Sequence, residues 1–533
     1  MVRVRFYFVL ILFALMLPMR YCLRFQLPGR DGATIGVPVD YATIQEGINA
    51  ANDGDTVLVV AGTYYEHVVL NKSVSLVGEN RGLTVIDGNG SDYVVSIEVD
   101  NVTVNGFTIR NGTTAGVFLA NCSDCMIENN IITLNLKLCG IGLSYSSRNL
   151  ICNNEIFRNG LAQPSLWFGD GVFLYLSCNN TISSNRIYDN VCFGIDLYGS
   201  DANLLYENDV INQSDGIVLL LSANNVVEAN NASKSYSDGI LIRESHYNKV
   251  LENEVFGNGF MTYVDYGIEI NRSTNNTVAS NRVHDNIGGI GVKDEAPDNT
   301  VAYNTIASNV VGVHVHYSNS SVFFKNNFID NRLVQASVGD AYPDIDVWDS
   351  GAEGNYWSNF AGTDSNLDGI IDTPYVLDIR NQDNYPLAEP WSETRTHQAN
   401  WDGTAYNVTT FCNSTVAGFS FSQPNKQIGF NITCPASSTS VCNVTIPLSL
   451  MWGYFSLLVD DVPQAYAIYQ NTTHTSIYFT IPFQSTKQIK ILSTGIVPEN
   501  HSLALTLIML ITTAAICSKT RLQLRKNTKK RDS

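Results

Sequence analysis

Four groupings of side chains in this sequence are of types and spacings that do chemistry. The run Asp364-x-Asn366-x-Asp368-Gly369-x-x-Asp372 sets oxygen ligands at alternate positions around a glycine bend, as a calcium loop requires. Tyr375 stands where such a loop carries its bidentate Glu, so Asp372 or Asp378 has to complete the shell. A solvated Asp/Asn-rich turn fits the same residues. His314 and His316 stand two apart, so on a strand both imidazoles leave by one face, a spacing that suits copper or zinc although no third ligand lies beside them. Asp215 and Asp238 each precede a glycine. If they fall on adjacent turns of a repeat, their carboxylates lie ~5 Å apart, the separation of a retaining glycosidase pair; Asp-Gly is also ordinary turn chemistry. Arg243 and Lys293 are bases of the kind a polysaccharide lyase needs. Cys122 and Cys125 form a lone CxxC and read as core or disulfide residues before a zinc site.

What positions these groups is an internal repeat. Glycine followed by an apolar-x-apolar triplet recurs at Gly116, Gly140, Gly171, Gly194, Gly216, Gly239, Gly267, Gly289 and Gly312, mostly at steps of 22–24 residues with two longer ones. A parallel series of asparagines runs from Asn130 to Asn326 with the same two long steps. Within a unit, asparagines five apart, such as Asn149, Asn154 and Asn159, divide it into three short alternating strands. Each Asn marks a turn, where it can bond local backbone, tolerate the left-handed conformation and stack amide on amide with its copy on the next coil. The pattern predicts an all-β, right-handed parallel β-helix over residues 38–335, with three strands and about 22–23 residues per coil, and nine coils stacked into a rod of roughly 40 Å. Thr43-Ile-Gln-Glu46 reads as a capping box that opens a short N-terminal cap helix. Residues 336–391, with the calcium motif, are expected to close the other end.

Aligning the coils by their glycines places the second and fourth following residues outward. The exposed face then reads Phe173 and Tyr175, Asp196 and Tyr198, Val218 and Leu220, Leu241 and Arg243, Glu269 and Asn271, Gly291 and Lys293, His314 and His316. Both long units carry their extra residues just before this strand, at 160–170 and 259–266, bringing Trp167, Phe168, Phe260, Tyr263 and Tyr266 beside it. Aromatic faces suit the apolar C–H surface of sugar rings, and Arg243 and Lys293 suit an anionic one. Trp167, Phe173, Tyr175, Asp196, Tyr198, Arg243, Glu269 and Lys293 are therefore the candidate ligand-binding residues.

The passage from Tyr41-Ala-Thr-Ile-Gln-Glu46 through Gly62-Thr-Tyr-Tyr-Glu66 and Leu76-Val-Gly-Glu-Asn80, followed by these repeats, resembles the pectin-lyase-like β-helix proteins, and among them the NosD-like proteins with their carbohydrate-binding and sugar-hydrolase repeat. Gly354-Asn-Tyr-Trp-Ser358 and Asp383-Asn-Tyr-Pro-Leu387 are similar to the ending of such helices in archaeal surface proteins. The resemblance covers about residues 38–390. It implies a fold shared by lyases, hydrolases, esterases and inert adhesins. The NosD likeness also implies copper handling, with His314 and His316 as the ligands.

The ends and composition set the compartment. Arg3 and Arg5 precede an apolar run to Met19, so residues 1–25 read as a signal peptide or signal anchor. Residues 502–518 read as a short transmembrane helix, and seven Lys/Arg in 519–533 put that tail in the cytoplasm. Seventeen Asn-x-Ser/Thr sequons lie between Asn71 and Asn500. A net charge of -18 repels nucleic acid and anionic lipid. Between 395 and 495 the repeat gives way to about seven alternating strands, expected as a β-sandwich spacer, with Cys434 and Cys442 placed to bridge across one turn. The whole reads as a membrane-anchored surface protein that binds polysaccharide or glycan. A lyase or glycoside hydrolase and a copper-handling protein are the alternatives.

Overall fold

The computed structural model describes residues 32–160, 169–260, 265–339, 345–365, 368–391, 393–401, 404–412, 415–433, 439–482 and 486–496. The expected signal segment 1–25, transmembrane helix 502–518 and basic tail 519–533 lie outside them, as do Trp167 and Asn366. Among the described residues, no helix is long and apolar enough to cross a membrane.

Three parallel sheets wind as one coil. Sheet A has 13 strands, from Thr34–Val37 to Val322–Phe324. Sheet B has 13, from Gly62–Tyr65 to Tyr356–Trp357, and sheet C has 12, from Val68–Leu70 to Val334–Val338. The solenoid therefore runs to about 13 coils, not nine, or roughly 60 Å at the usual inter-strand spacing. The glycine marker misses the sheet C strands Val68–Leu70 and Tyr93–Ile97 before Gly116 and Val334–Val338 after Gly312; Val94 and Gln335 stand in the glycine's place on two of them.

Why the glycine recurs is a matter of close approach rather than left-handed backbone. A Cβ at Gly116 would stand 2.7 Å from Ile132 Cγ2 and 2.8 Å from the carbonyl oxygen of Gly140 on the next coil. The residues at one and three after it are sealed inside: Ile195 and Leu197, and Ile217 and Leu219, are each 0% exposed.

The corners show what the asparagines do. Asn208 Nδ2 donates to Asn230 Oδ1 (2.9 Å) and to the Ile182 carbonyl (2.8 Å), while Asn208 Oδ1 accepts the Asn185 backbone N–H (3.1 Å). Each ladder amide thus satisfies backbone groups that the corner removes from the sheets. The ladder asparagines are not the left-handed residues, as the sequence reading supposed. That conformation belongs to the residue before each, as at Arg148, Asn153 and Arg158 ahead of Asn149, Asn154 and Asn159. The ladder side chain must point into the coil; its neighbour turns outward and absorbs the bend.

A serine ladder (Ser146, Ser177, Ser200, Ser222, Ser245, Ser273) runs three residues ahead of one asparagine ladder, each hydroxyl accepting the backbone N–H of its counterpart one coil earlier. This accounts for the CxxC pair. Cys122 and Cys125 occupy the serine and asparagine positions of an early coil, donating their N–H groups to Ser146 Oγ (3.1 Å) and Asn149 Oδ1 (2.9 Å). Both are free thiols that burial pushes up, to about 11 and about 12, so they are structural and unreactive.

Helix α1 (Ile44–Ala50) begins with the expected capping box between Thr43 and Glu46 and packs Ile44 and Ile48 into the same core. Downstream of Asn331 the asparagine ladder continues to Asn355 and ends on Asp383, whose carboxylate accepts the Asn355 N–H (2.7 Å) and the Trp357 indole N–H (2.9 Å). Trp348 and Trp357 lie face to face with Phe323 and Phe328, each pair 4.3 Å apart, over the last coil.

Residues 393–496 form two five-stranded antiparallel sheets around one core that includes Val408, Val444, Phe430 and Ile489. Three strands escaped the alternation: Glu393–Trp401, and the short, largely exposed Val462–Pro463 and Ala467–Gln470. The disulfide joins Cys442 to Cys412, not to Cys434, because Cys412 and Cys442 are directly opposed on neighbouring strands with Cα atoms 4.3 Å apart. Cys434 lies outside the described residues.

Candidate functional site

Sheet C gathers most of the predicted residues on its outer surface in three columns. One column runs Phe173, Asp196, Val218, Leu241, Glu269, Gly291 and His314; a second runs Tyr175, Tyr198, Leu220, Arg243, Asn271, Lys293 and His316. The third is the residue before each glycine and includes Asp170, Phe193, Asp215, Asp238 and Tyr266. The predicted register is therefore the observed one. Asp364, Asp368 and Asp372 lie apart from it, in the segment beyond the last coil.

At one end the face is aromatic. Tyr175 and Tyr198 are register partners with rings 5.8 Å apart and nearly parallel, and Tyr145 meets Tyr175 edge-on at 5.7 Å. Tyr145 and Tyr198 are 57% and 38% exposed, so this row presents ring surface to solvent.

In the middle the face is acidic and, contrary to the expectation of exposure, buried: Asp170, Asp196, Asp215, Asp238 and Glu269 are all below 9% exposed. Sequence alignment assigned their direction correctly but could not show how closely neighbouring side chains close over them. The column before the glycines explains part of this, because these carboxylates serve backbone. Asp170 accepts the Phe193 N–H (3.0 Å), Asp215 that of Asp238 (2.9 Å), and Asp238 that of Tyr266 (2.6 Å). Asp196 differs. It accepts no such bond, and its buried Oδ1 has no partner. Burial, reinforced by Asp215, raises its carboxyl to about 7. Burial raises Asp170 and Asp238 well above the usual range as well, with Asp196 adding to the first, and Glu269 and then Asp215 to the second.

At the far end four groups interlock. The Tyr266 hydroxyl and His314 Nδ1 share a hydrogen bond (2.6 Å), and Lys293 Nζ lies 3.3 Å from Glu269 Oε2 and 5.0 Å from the Tyr266 ring centroid. Gly288 and Gly291 make room for that ring, since a Cβ at either would come within 3 Å of it. Burial, then His316 and Lys293, holds His314 below its ordinary value. Burial and the nearby Glu269 and Asp238 hold the Tyr266 phenol high. Lys293 is thus already paired with a carboxylate, whereas Arg243 is exposed. His314 and His316 have ring centroids 5.6 Å apart, but His314 Nδ1 is occupied by Tyr266.

Of the two insertions that should overhang the face, 160–170 and 259–266, residues 161–168 and 261–264 fall outside the described residues. In the distal loop, Asp364 accepts the N–H groups of Asp368 (3.2 Å) and Gly369 (2.9 Å), and Asp372 that of Ser365 (3.0 Å). Its carboxylates hold the loop's own backbone, and no cluster of three metal-ligating side chains occurs among the described residues.

The sequence reading passed over Asp170 and Tyr145. Asp170 precedes Gly171 just as Asp215 and Asp238 precede their glycines, so the repeat alone could have found it. Tyr145 sits at a left-handed corner, a position no strand pattern marks.

Residues 47–211 and 193–329 match the family described as right handed beta helix region. A cell surface glycoprotein of the archaeon Methanothermus fervidus is 26% identical over 231 residues, covering 32% of this chain and 38% of that protein. The chain thus spans well under half the length of that relative. Among solved structures, a mannuronan C-5 epimerase module of Azotobacter vinelandii is 17% identical, with 57% of this chain and 92% of the module covered at a TM-score of 0.47. The Dettilon tailspike protein is 12% identical, with 86% and 93% covered at 0.48.

Proposed function

This chain belongs to the right-handed β-helix family, and on that premise we propose that it is a cell-surface protein that binds a polysaccharide or glycan along the outer face of sheet C. The observation that carries this reading is the solvent-facing row Tyr145, Tyr175 and Tyr198, set one coil apart. One coil advances ~4.8 Å, close to the length of a sugar residue in an extended chain, so successive rings can stack on successive sugars. The cell-surface location draws support from the glycoprotein of Methanothermus fervidus, and the apolar stretch 502–518 with its basic tail would supply the membrane anchor. An uncharged chain is favoured over a polyuronate because Lys293, one of the two cations of the face, is spent on Glu269.

A cleaving enzyme is the second reading, favoured by the Tyr266–His314 hydrogen bond beside Lys293, an acid–base pair whose phenol is buried. Calcium at Asp364, Asn366, Asp368 and Asp372 would be structural and remote from the face; copper at His314 and His316 would have to compete with Tyr266. The deciding experiment mixes the protein with neutral and acidic polysaccharides and follows both co-elution and polymer length by size exclusion. Co-elution at unchanged length supports binding. Shortened polymer replaces it with the enzymatic reading, and no interaction with any polymer removes both.

A further inference from the structure

Sequons recur at one corner of the coil, with Asn101, Asn179 and Asn275 at one position and Asn121 three residues earlier in the turn. The corner that carries the chain from sheet C to sheet A contains Asn101, Asn121, Asn179 and Asn275, each first in an Asn-x-Ser/Thr triplet. All four are exposed and left-handed, with φ between 56° and 60°. In each triplet the middle residue is sealed at a ladder position: Val102 1%, Cys122 0%, Asn180 1% and Asn276 1% exposed. The first residue is thereby turned out and the Ser or Thr that completes the motif follows at the surface edge. The corner thus solves two problems with one geometry. The left-handed residue points away from the axis because its neighbour must point in.

Side-chain engagement separates these from Asn231 and Asn271. Asn101, Asn121 and Asn179 make no side-chain hydrogen bond, and Asn275 bonds only to its neighbour Thr274 (3.0 Å). Asn271 is 9% exposed and ties its amide to Glu269 (3.0 Å) and Asp294 (3.1 Å); Asn231 donates to Asp209 (2.7 Å) and buries its Oδ1. Asn319 shares the corner but not the left-handed backbone, which Ser320 takes instead (φ 62°).

We propose that Asn101, Asn121, Asn179 and Asn275 are N-glycosylated and that Asn231 and Asn271 are not, so that glycans stand in a row along one edge of sheet C and leave its surface bare. The donor is a lipid-phosphate-linked oligosaccharide of the exporting cell. The Asn Nδ2 forms a bond to the anomeric carbon, the bond from that carbon to the phosphate oxygen breaks, and lipid phosphate and the amide proton leave. The inference requires export but is independent of whether the face binds a glycan.

The test is glycopeptide mass spectrometry of the full chain secreted from a host that performs N-glycosylation, with the exposed sandwich sequon at Asn471 as the internal control. Modification at the four corner asparagines, absence at Asn231 and Asn271, and loss at Asn179 alone in Thr181→Ala are the expected results. Glycans on Asn271 or Asn231 overturn the proposal. So do bare corner residues, with or without a glycan on Asn471.

Discussion

Removing one ladder amide should loosen a whole corner, and the structure sets how much. In Asn208→Ala, the Asn185 N–H loses its acceptor, the Asn185 side-chain amide loses one of its two bonds, and the Ile182 carbonyl and Asn230 Oδ1 each lose a donor. The buried N–H alone costs about 1–3 kcal/mol and each of the three weakened partners roughly 1, for a total of about 4–6 kcal/mol. Because stacked coils open locally, the loss should appear around the lesion rather than as one global midpoint. Hydrogen exchange of peptides spanning 181–211 reads it directly: opening should rise about 1,000- to 10,000-fold, given tenfold per 1.4 kcal/mol, while coils near Val104 keep wild-type protection. An increase of less than about tenfold would show that the ladder is decoration and that the apolar core alone holds the coil.

Asp196 keeps its proton to about 7 in the fold and releases it near 3.8 when unfolded, so the native state binds more protons across that window and stability must fall as pH rises through it. Asp196→Asn should flatten that fall by a few kcal/mol in denaturant midpoints measured from pH 4 to 8; a curve parallel to wild type would contradict the assignment. Cys412→Ser should destabilise residues 393–496 by about 2–4 kcal/mol while leaving solenoid protection unchanged, and an intact sandwich after reduction would argue against it. Calcium should raise the thermal stability of the segment holding Asp364 and Asp372, reversibly with chelator and not in Asp368→Asn; no shift at millimolar calcium would leave the loop as an ordinary turn.

The solenoid was legible because one repeat writes the same requirement many times. Gly116 and its eight counterparts set the register of sheet C correctly, for each must pass a neighbouring carbonyl. Where another residue takes the glycine's place, as at Val94 and Gln335, the marker is absent and the coils are undercounted. The ladder was legible too, but which residue bends was not. Asparagine tolerates left-handed backbone in general, yet here Arg148 and Arg158 take it while Asn149 and Asn159 turn inward to serve backbone.

At the candidate site, parity gave the direction of Asp196, Glu269 and Lys293 but not their surroundings. Burial of Glu269 and pairing of Lys293 depend on how Tyr266 lies over Gly288 and Gly291, a packing choice that no periodicity encodes. The disulfide partner of Cys442 was set by strand order in the sandwich, which alternation does not determine.

The aromatic row is the claim on which the functional account turns. The most direct measurement titrates the glycan selected from the polysaccharide panel into wild type, Tyr175→Ala and Tyr175→Ala/Tyr198→Ala by calorimetry, with hydrogen exchange confirming an intact coil. The account predicts about tenfold weaker binding for the single change and a further loss for the double, at ~1–3 kcal/mol per stacking ring. Wild-type affinity in the double variant, with the coil intact, would contradict it and place the ligand elsewhere on the molecule.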